Sequence, residues 1–433
     1  MSLFSFAFLA TAAALSQPMD GSECRPGAYA SDNGDFVVLS NVASIPPPGL
    51  RYMFRDGRRG STQSKDAPLF CLADAVEIVS GDAERARWVR MDFKVTDASF
   101  DSAGTRLEGQ LIEPRTSSNR KPPLVVMVHG SERSPAIGNI YAYALAAQGI
   151  AVFAYDKRGT GASEGEYTQN FELLAEDAAN ALRKAKELAG TRISRAGYFG
   201  GSQGGWVAPL AATRSDADFV AVGFGLVASP IEEDREQMIS EVRALGLGKG
   251  AEALVNKLSE ATARLLLSDF SEGYEELDEI RRQLGANPWL SRISGEHSGE
   301  ILKLDNQQLR RIGRARFDNL ELIWDYDAVA ALEKLQAPLL WVLAAEDREA
   351  PIEGTRRALL ELRSKGRNLD AFVFPGTDHG MMEFRVNPDG SRTATRITDG
   401  YLQLLGDWIK GETRSAYGRS FRLGGSSQLK SAN

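Results

Sequence analysis

Unbroken apolar runs divide the chain. Leu124 to Val128, Ile150 to Tyr155, Ala196 to Phe199, Phe219 to Leu226, Leu339 to Ala344 and Ala371 to Phe374 alternate with stretches of helical periodicity. Strands that are apolar on both faces and separated by helices predict an α/β fold, a mostly parallel sheet flanked by helices. The clearest intervening helix is Phe171 to Leu188, where Leu173, Leu174, Ala178, Ala181, Leu182 and Ala185 share one face. The alternation stops over residues 231–330. There the leucine spacing of Leu254 to Leu267 and Leu302 to Leu309 predicts helices, broken at Gly246-Leu247-Gly248, Gly285-Ala286-Asn287-Pro288 and Ser294-Gly295. An insertion between two sheet strands is where a helical cap over an active site would sit.

Ahead of the sheet, residues 17–91 read differently. Short runs at Phe36 to Leu39, Arg51 to Phe54 and Ala75 to Val79 are separated by Pro46-Pro47-Pro48 and Asp56-Gly57, which predicts a small β-rich module. Val89 to Val95 and Leu107 to Ile112 form a further pair of strand candidates. The α/β domain is then expected over residues 92–230 and 331–411, closing on an amphipathic helix from Ala394 to Ile409. The polar, Gly/Ser-rich segment 412–433 reads as a flexible tail. No internal repeat is evident.

The apolar run Leu3 to Leu15, followed by Ser16-Gln17-Pro18, has the form of a secretory signal peptide over residues 1–16 and is too short to span a bilayer. It implies a periplasmic or secreted protein. Export in turn implies a disulfide between the two cysteines, Cys24 and Cys71. Closing a loop of that length stabilises the folded state by roughly 4 kcal/mol in the chain-entropy model. The net charge is −7, with Lys and Arg spread along the chain, which argues against a nucleic-acid partner. No later apolar run is long enough to cross a membrane.

The chemistry concentrates at Tyr198-Phe199-Gly200-Gly201-Ser202-Gln203-Gly204-Gly205-Trp206. This is G-x-S-x-G at the end of a predicted strand and ahead of an Ala/Leu-rich helix, the context in which a tight turn projects a serine hydroxyl above the sheet edge. Pro209 falls inside that helix and predicts a bend. A serine hydroxyl needs a base, and the chain has three histidines. His129 follows directly on an apolar strand and reads as a residue shaping that turn, and His297 lies in a polar run of the insertion. His379, in Pro375-Gly376-Thr377-Asp378-His379-Gly380 after the last strand, is the candidate base. Asp347 ends the strand Leu339 to Ala345 and is the candidate orienting acid, with Glu346 its nearest rival and Asp378 a weaker one. The backbone amides of Ser131 and Gln203 occupy the positions expected of an oxyanion hole. Asp156 and Arg158 are expected to pair with each other. No histidine pair has metal-ligand spacing.

With these residues in hand, the stretch from about Asp92 to Ile409 resembles bacterial α/β-hydrolases of the esterase and serine-aminopeptidase-like group. The resemblance rests on Val128-His129-Gly130-Ser131, Tyr155 to Ser163, Gly200 to Gly205, Asp347 and Asp378-His379-Gly380. It implies attack by Ser202 on an acyl carbonyl, proton transfer through His379 and hydrolysis of an acyl-enzyme, with no cofactor required. The expected substrate is a small carboxylic ester, because nothing in the sequence marks a site for an amine or for coenzyme A. A short peptide or an acyl-CoA thioester is the alternative. A non-catalytic binding protein of the same fold would be expected to lack one of the three residues, and here all three are present.

Overall fold

The computed structural model describes residues 24–41, 49–79, 84–115 and 120–424. Among them, nine strands form the central sheet: β1 (Phe93–Ser102), β2 (Thr105–Pro114), β3 (Leu124–Val128), β4 (Ala151–Tyr155), β5 (Ala196–Gly201), β6 (Val220–Gly223), β7 (Leu339–Ala344), β8 (Leu369–Phe374) and β9 (Phe421–Arg422). Their spatial order is 9-8-7-6-5-3-4-2-1. From β4 through β3 to β8 the pairs are all parallel, while β1, β2 and β9 join antiparallel at the two margins. Every residue of β3, β4, β6 and β7 is buried. Side chains alternate between the faces. Val126, Val128 and Trp341 enter one apolar cluster, with Leu174, Ala178 and Leu182 of helix α2 (Phe171–Ala189). Val125, Met127 and Leu340 enter the other, with α1 (Ile140–Ala146) and the last helix, Tyr401–Lys410. Each fully buried Val or Leu in these layers contributes about 1.5–3 kcal/mol of transfer free energy, and this two-sided burial is why the runs read as continuously apolar.

The N-terminal module is a seven-stranded antiparallel sheet, ordered Arg59–Ser61, Leu50–Phe54, Phe36–Asn41, Gly27–Ala30, Arg85–Arg90, Ala75–Val79 and Leu69–Leu72. Period-two alternation gives it two buried faces. Val37, Leu39, Phe54 and Trp88 form its own core, whereas Phe36, Val38 and Met53 join the cluster of β3 and α1. A disulfide joins Cys24 to Cys71, with Cα atoms 4.8 Å apart.

Between β6 and β7 the chain forms the helices Pro230–Ala244, Lys249–Leu267, Tyr274–Arg282, Ser298–Lys303 and Asn306–Phe317. They enclose a core of their own around Leu258, Leu265, Leu277 and Ile301. Ser229 opens the first of them with a reciprocal capping box to Glu232, and Gly246 breaks the chain after it at φ +69°.

Three expectations change. The run Val89 to Val95 is divided, its first residues pairing in the module and its last in β1. The segment from Ala394 is not helical at its start: Arg392–Ile397, which carries two threonines, pairs with Met382–Val386 as a strand, and the helix begins only after Gly400. The tail is anchored as far as Gly424, because β9 adds to β8 while Tyr417 and Leu423 are buried. Pro209 lies inside helix α3 (Gly204–Thr213). The leader expected over residues 1–16 lies outside the described residues, as do residues 425–433.

Candidate active site

Strand β5 ends at Gly201 and α3 starts at Gly204, which leaves Ser202 and Gln203 to turn the chain. Ser202 takes φ +52°, a region costly for a residue with a Cβ. Its backbone N–H is held by the Gly223 carbonyl at 3.1 Å. The turn closes only because its flanks are bare: a Cβ on Gly200 would collide with the Gly204 carbonyl, and one on Gly204 would lie 2.8 Å from the Val128 carbonyl oxygen.

His379 follows β8 and directs Nε2 at the Ser202 Oγ, 3.1 Å away. Its Nδ1 lies 3.0 Å from Asp347 Oδ2 and 3.2 Å from Oδ1. Asp347, buried after β7, also accepts from the N–H groups of Glu349 and Ala350 at 3.1 and 2.8 Å. Phe224 stands edge-on to the imidazole, with ring centroids 5.1 Å apart. Burial opposes protonation of His379, but the bonded Asp347 carboxylate outweighs it, with Glu349 and Asp378 adding to the effect, so the imidazole stays above its usual value.

The rivals are engaged elsewhere. Glu346 accepts from the Thr377 N–H at 2.9 Å, and Asp378 is bound by Arg392 at 2.6 Å and by the Arg348 N–H at 2.9 Å. His129 is buried with Nε2 2.6 Å from the Tyr155 carbonyl oxygen, so that nitrogen carries the proton. His297 is buried against Trp324 with Nδ1 3.6 Å from Asp234, and it borders the cavity above Ser202. Arg158 departs from its expected partner and pairs with Asp177, Nη2 to Oδ1 at 2.6 Å, both buried. Asp156 instead accepts from the backbone of Ala136, Ile137 and Ala162 at 2.8 to 3.1 Å, tying the loop after β3 to the loop after β4.

Ser131 and Gln203 both border the cavity that contains Ser202 and His379. The loop carrying Ser131 is fixed from below, because Lys157 Nζ donates to the Gly130 carbonyl at 2.8 Å and the Tyr167 hydroxyl to the Ser131 carbonyl at 2.5 Å. Burial draws the Lys157 ammonium down to about 8.

Ser202 separates two cavities of opposite character. One, of about 150 Å³, is lined mainly by apolar side chains, among them Met127, Ala136, Phe199 and Phe224. The other, of about 280 Å³, lies between sheet and cap and is bordered by His379, Trp206, Glu233, Glu296 and Glu349. Burial, followed by the neighbouring carboxylates, raises Glu233 well above the usual carboxylate range, and the same causes raise Glu296. Sequence reasoning missed these acids. Glu233 reads as an ordinary first-turn helix residue, and Glu296 and Glu349 as loop residues. Among the described residues no group of His, Cys, Asp and Glu side chains could hold a metal ion, and no helix is long and apolar enough to cross a membrane.

The family model described as serine aminopeptidase, S33, matches residues 120–383, more than half of the chain. The chain belongs to this family of α/β-hydrolases. Among solved structures the hydrolase is similar to an esterase of Pyrococcus furiosus, at 13% identity over 74% of this chain and 91% of that one, with a TM-score of 0.43. It is also similar to an acylaminoacyl peptidase of Pyrococcus horikoshii, at 16% identity over 77% of this chain and 44% of that one, with a TM-score of 0.41. No curated protein matches the chain.

Proposed function

We propose that the hydrolase cleaves carboxylic esters through an acyl-enzyme on Ser202. The observation that carries this reading is the run of contacts from Ser202 Oγ to His379 Nε2 and from His379 Nδ1 to Asp347. His379 takes the hydroxyl proton as the oxygen attacks the acyl carbonyl, and Asp347 keeps the imidazole in the required tautomer. The backbone amides of Ser131 and Gln203 stabilise the oxyanion. His379 returns the proton to the leaving oxygen, then activates water to release the acid. The apolar cavity beside Ser202 suits an uncharged acyl group. The leader-like N-terminus and the Cys24–Cys71 disulfide support export to the periplasm or beyond.

A second reading, cleavage of short peptides from an amino terminus, is favoured by one observation that the sequence did not signal: three glutamates border the cavity over Ser202. Nitrophenyl esters assayed beside aminoacyl and dipeptidyl amides, with Ser202→Ala as control, separate the two. Ester turnover lost in Ser202→Ala supports the proposal. Faster amide turnover overturns it in favour of the peptidase, and unchanged turnover in Ser202→Ala removes the mechanism.

A further inference from the structure

Resting on the acyl-enzyme reading, the two cavities at Ser202 assign the two halves of the substrate. The proton that His379 delivers must reach the leaving group, and His379 borders the polar cavity under the cap and not the apolar one. The leaving group therefore departs into the polar cavity, which leaves the apolar cavity for the acyl chain. A space of this volume holds a benzene-sized group, about six heavy atoms.

Tyr141, on the first turn of α1, is one of the walls of the apolar cavity. Asn139 caps that helix by accepting from the Tyr141 N–H at 2.8 Å, and the Tyr141 ring leans on Phe199 with centroids 6.4 Å apart. The same side chain borders a second cavity, of about 230 Å³, whose other walls include Tyr52, Met53, Arg59 and Gly60 of the N-terminal module, Ile140 and Ile397. Hydrogen bonds fasten the module to the rest of the chain. Ser40 Oγ donates to the Gly138 carbonyl at 2.5 Å, and the Ile397 N–H to the Gly57 carbonyl at 3.1 Å. Tyr141 is thus common to the pocket at the nucleophile and to the space between the module and α1.

We propose that Tyr141 sets the maximum acyl length by closing the acyl pocket against the module's cavity, so that the module forms the back of the substrate site. Removing the ring joins the two spaces and admits a longer chain.

The experiment is kcat/KM on nitrophenyl acetate, butanoate, octanoate and dodecanoate for the full-length protein and three variants. Wild type prefers the short esters. Tyr141→Ala raises the octanoate to butanoate ratio by about tenfold or more, the scale on which a hydrophobic pocket discriminates added methylenes. Tyr141→Phe, which keeps the ring, leaves the ratio as in wild type. Ala136→Leu, which fills the same pocket from another wall, moves the preference toward acetate. An octanoate to butanoate ratio unchanged in a Tyr141→Ala protein that still turns over butanoate overturns the inference. Should Tyr141→Ala fail to fold, an unmoved profile in Ala136→Leu overturns it instead. Ser202→Ala keeps the two levels apart: turnover that survives there sinks the acyl-enzyme reading and this inference with it, whereas Ser202-dependent turnover with an unmoved length profile sinks this inference alone.

Discussion

Asp347 holds His379 through both carboxylate oxygens, at 3.0 and 3.2 Å from Nδ1, while two backbone N–H groups hold Asp347 in turn. The acid is therefore placed by its own loop rather than by the histidine. An Asp347→Asn variant keeps the loop's shape but offers His379 a donor in place of an acceptor, which favours the wrong tautomer. It is expected to lose roughly 10⁴-fold in kcat on a nitrophenyl ester, with an unchanged melting profile by circular dichroism. A loss below about tenfold would place the orienting group elsewhere.

The pH profile follows from the same contact. The proposed base acts as neutral imidazole, and the Asp347 bond holds its pKa above the ordinary 6.5 despite burial. The acid limb of kcat/KM is therefore expected above pH 6.5. Glu349, 3.6 Å from Nε2, is one of the groups raising it. Glu349→Gln should move the limb to lower pH, and a move to higher pH would show that Glu349 is not acting as a nearby negative charge.

Arg158 and Asp177 form a buried ion pair between the loop after β4 and α2. Removing one partner leaves an uncompensated charge, so Asp177→Ala is expected to cost about 3–5 kcal/mol in denaturant unfolding. Replacing both with Met and Leu should cost much less. Equal losses in the single and double variants would mean that packing, not charge, is what the pair supplies.

Most of the architecture was legible because burial on both sides of a sheet leaves uninterrupted apolar runs, and because glycine breaks mark the cap helices. The serine turn was legible for a related reason: only bare neighbours at Gly200 and Gly204 allow it. What sequence could not show depends on which distant segments meet. Arg158 and Asp156 are two residues apart, yet β4 ends between two loops and each side chain finds a different partner. Glu233, Glu296 and Glu349 come from three separate segments and carry no shared spacing. The short strand at Phe421 hides in a polar tail, since two residues have no readable period.

Glu233 makes a stability prediction. Its folded-state pKa is raised well above the ordinary 4.5, by burial first and then by Glu296, Asp347, Asp234 and Glu349. Below pH 4.5 the carboxyl is protonated both folded and unfolded and costs nothing. As pH rises from there toward the folded value, the unfolded chain ionises first and stability is lost. Glu233→Gln should therefore raise Tm by a margin that widens over that window and then levels off. A constant or shrinking margin would contradict the assigned environment.

The proposed mechanism requires a covalent intermediate on Ser202. Treating the folded protein with a fluorophosphonate and mapping the adduct by peptide mass spectrometry tests it directly. A single modification is expected, on the peptide containing Ser202, absent in Ser202→Ala and strongly slowed in His379→Ala. Failure of the wild-type protein to react, or an adduct on any other residue, would contradict it.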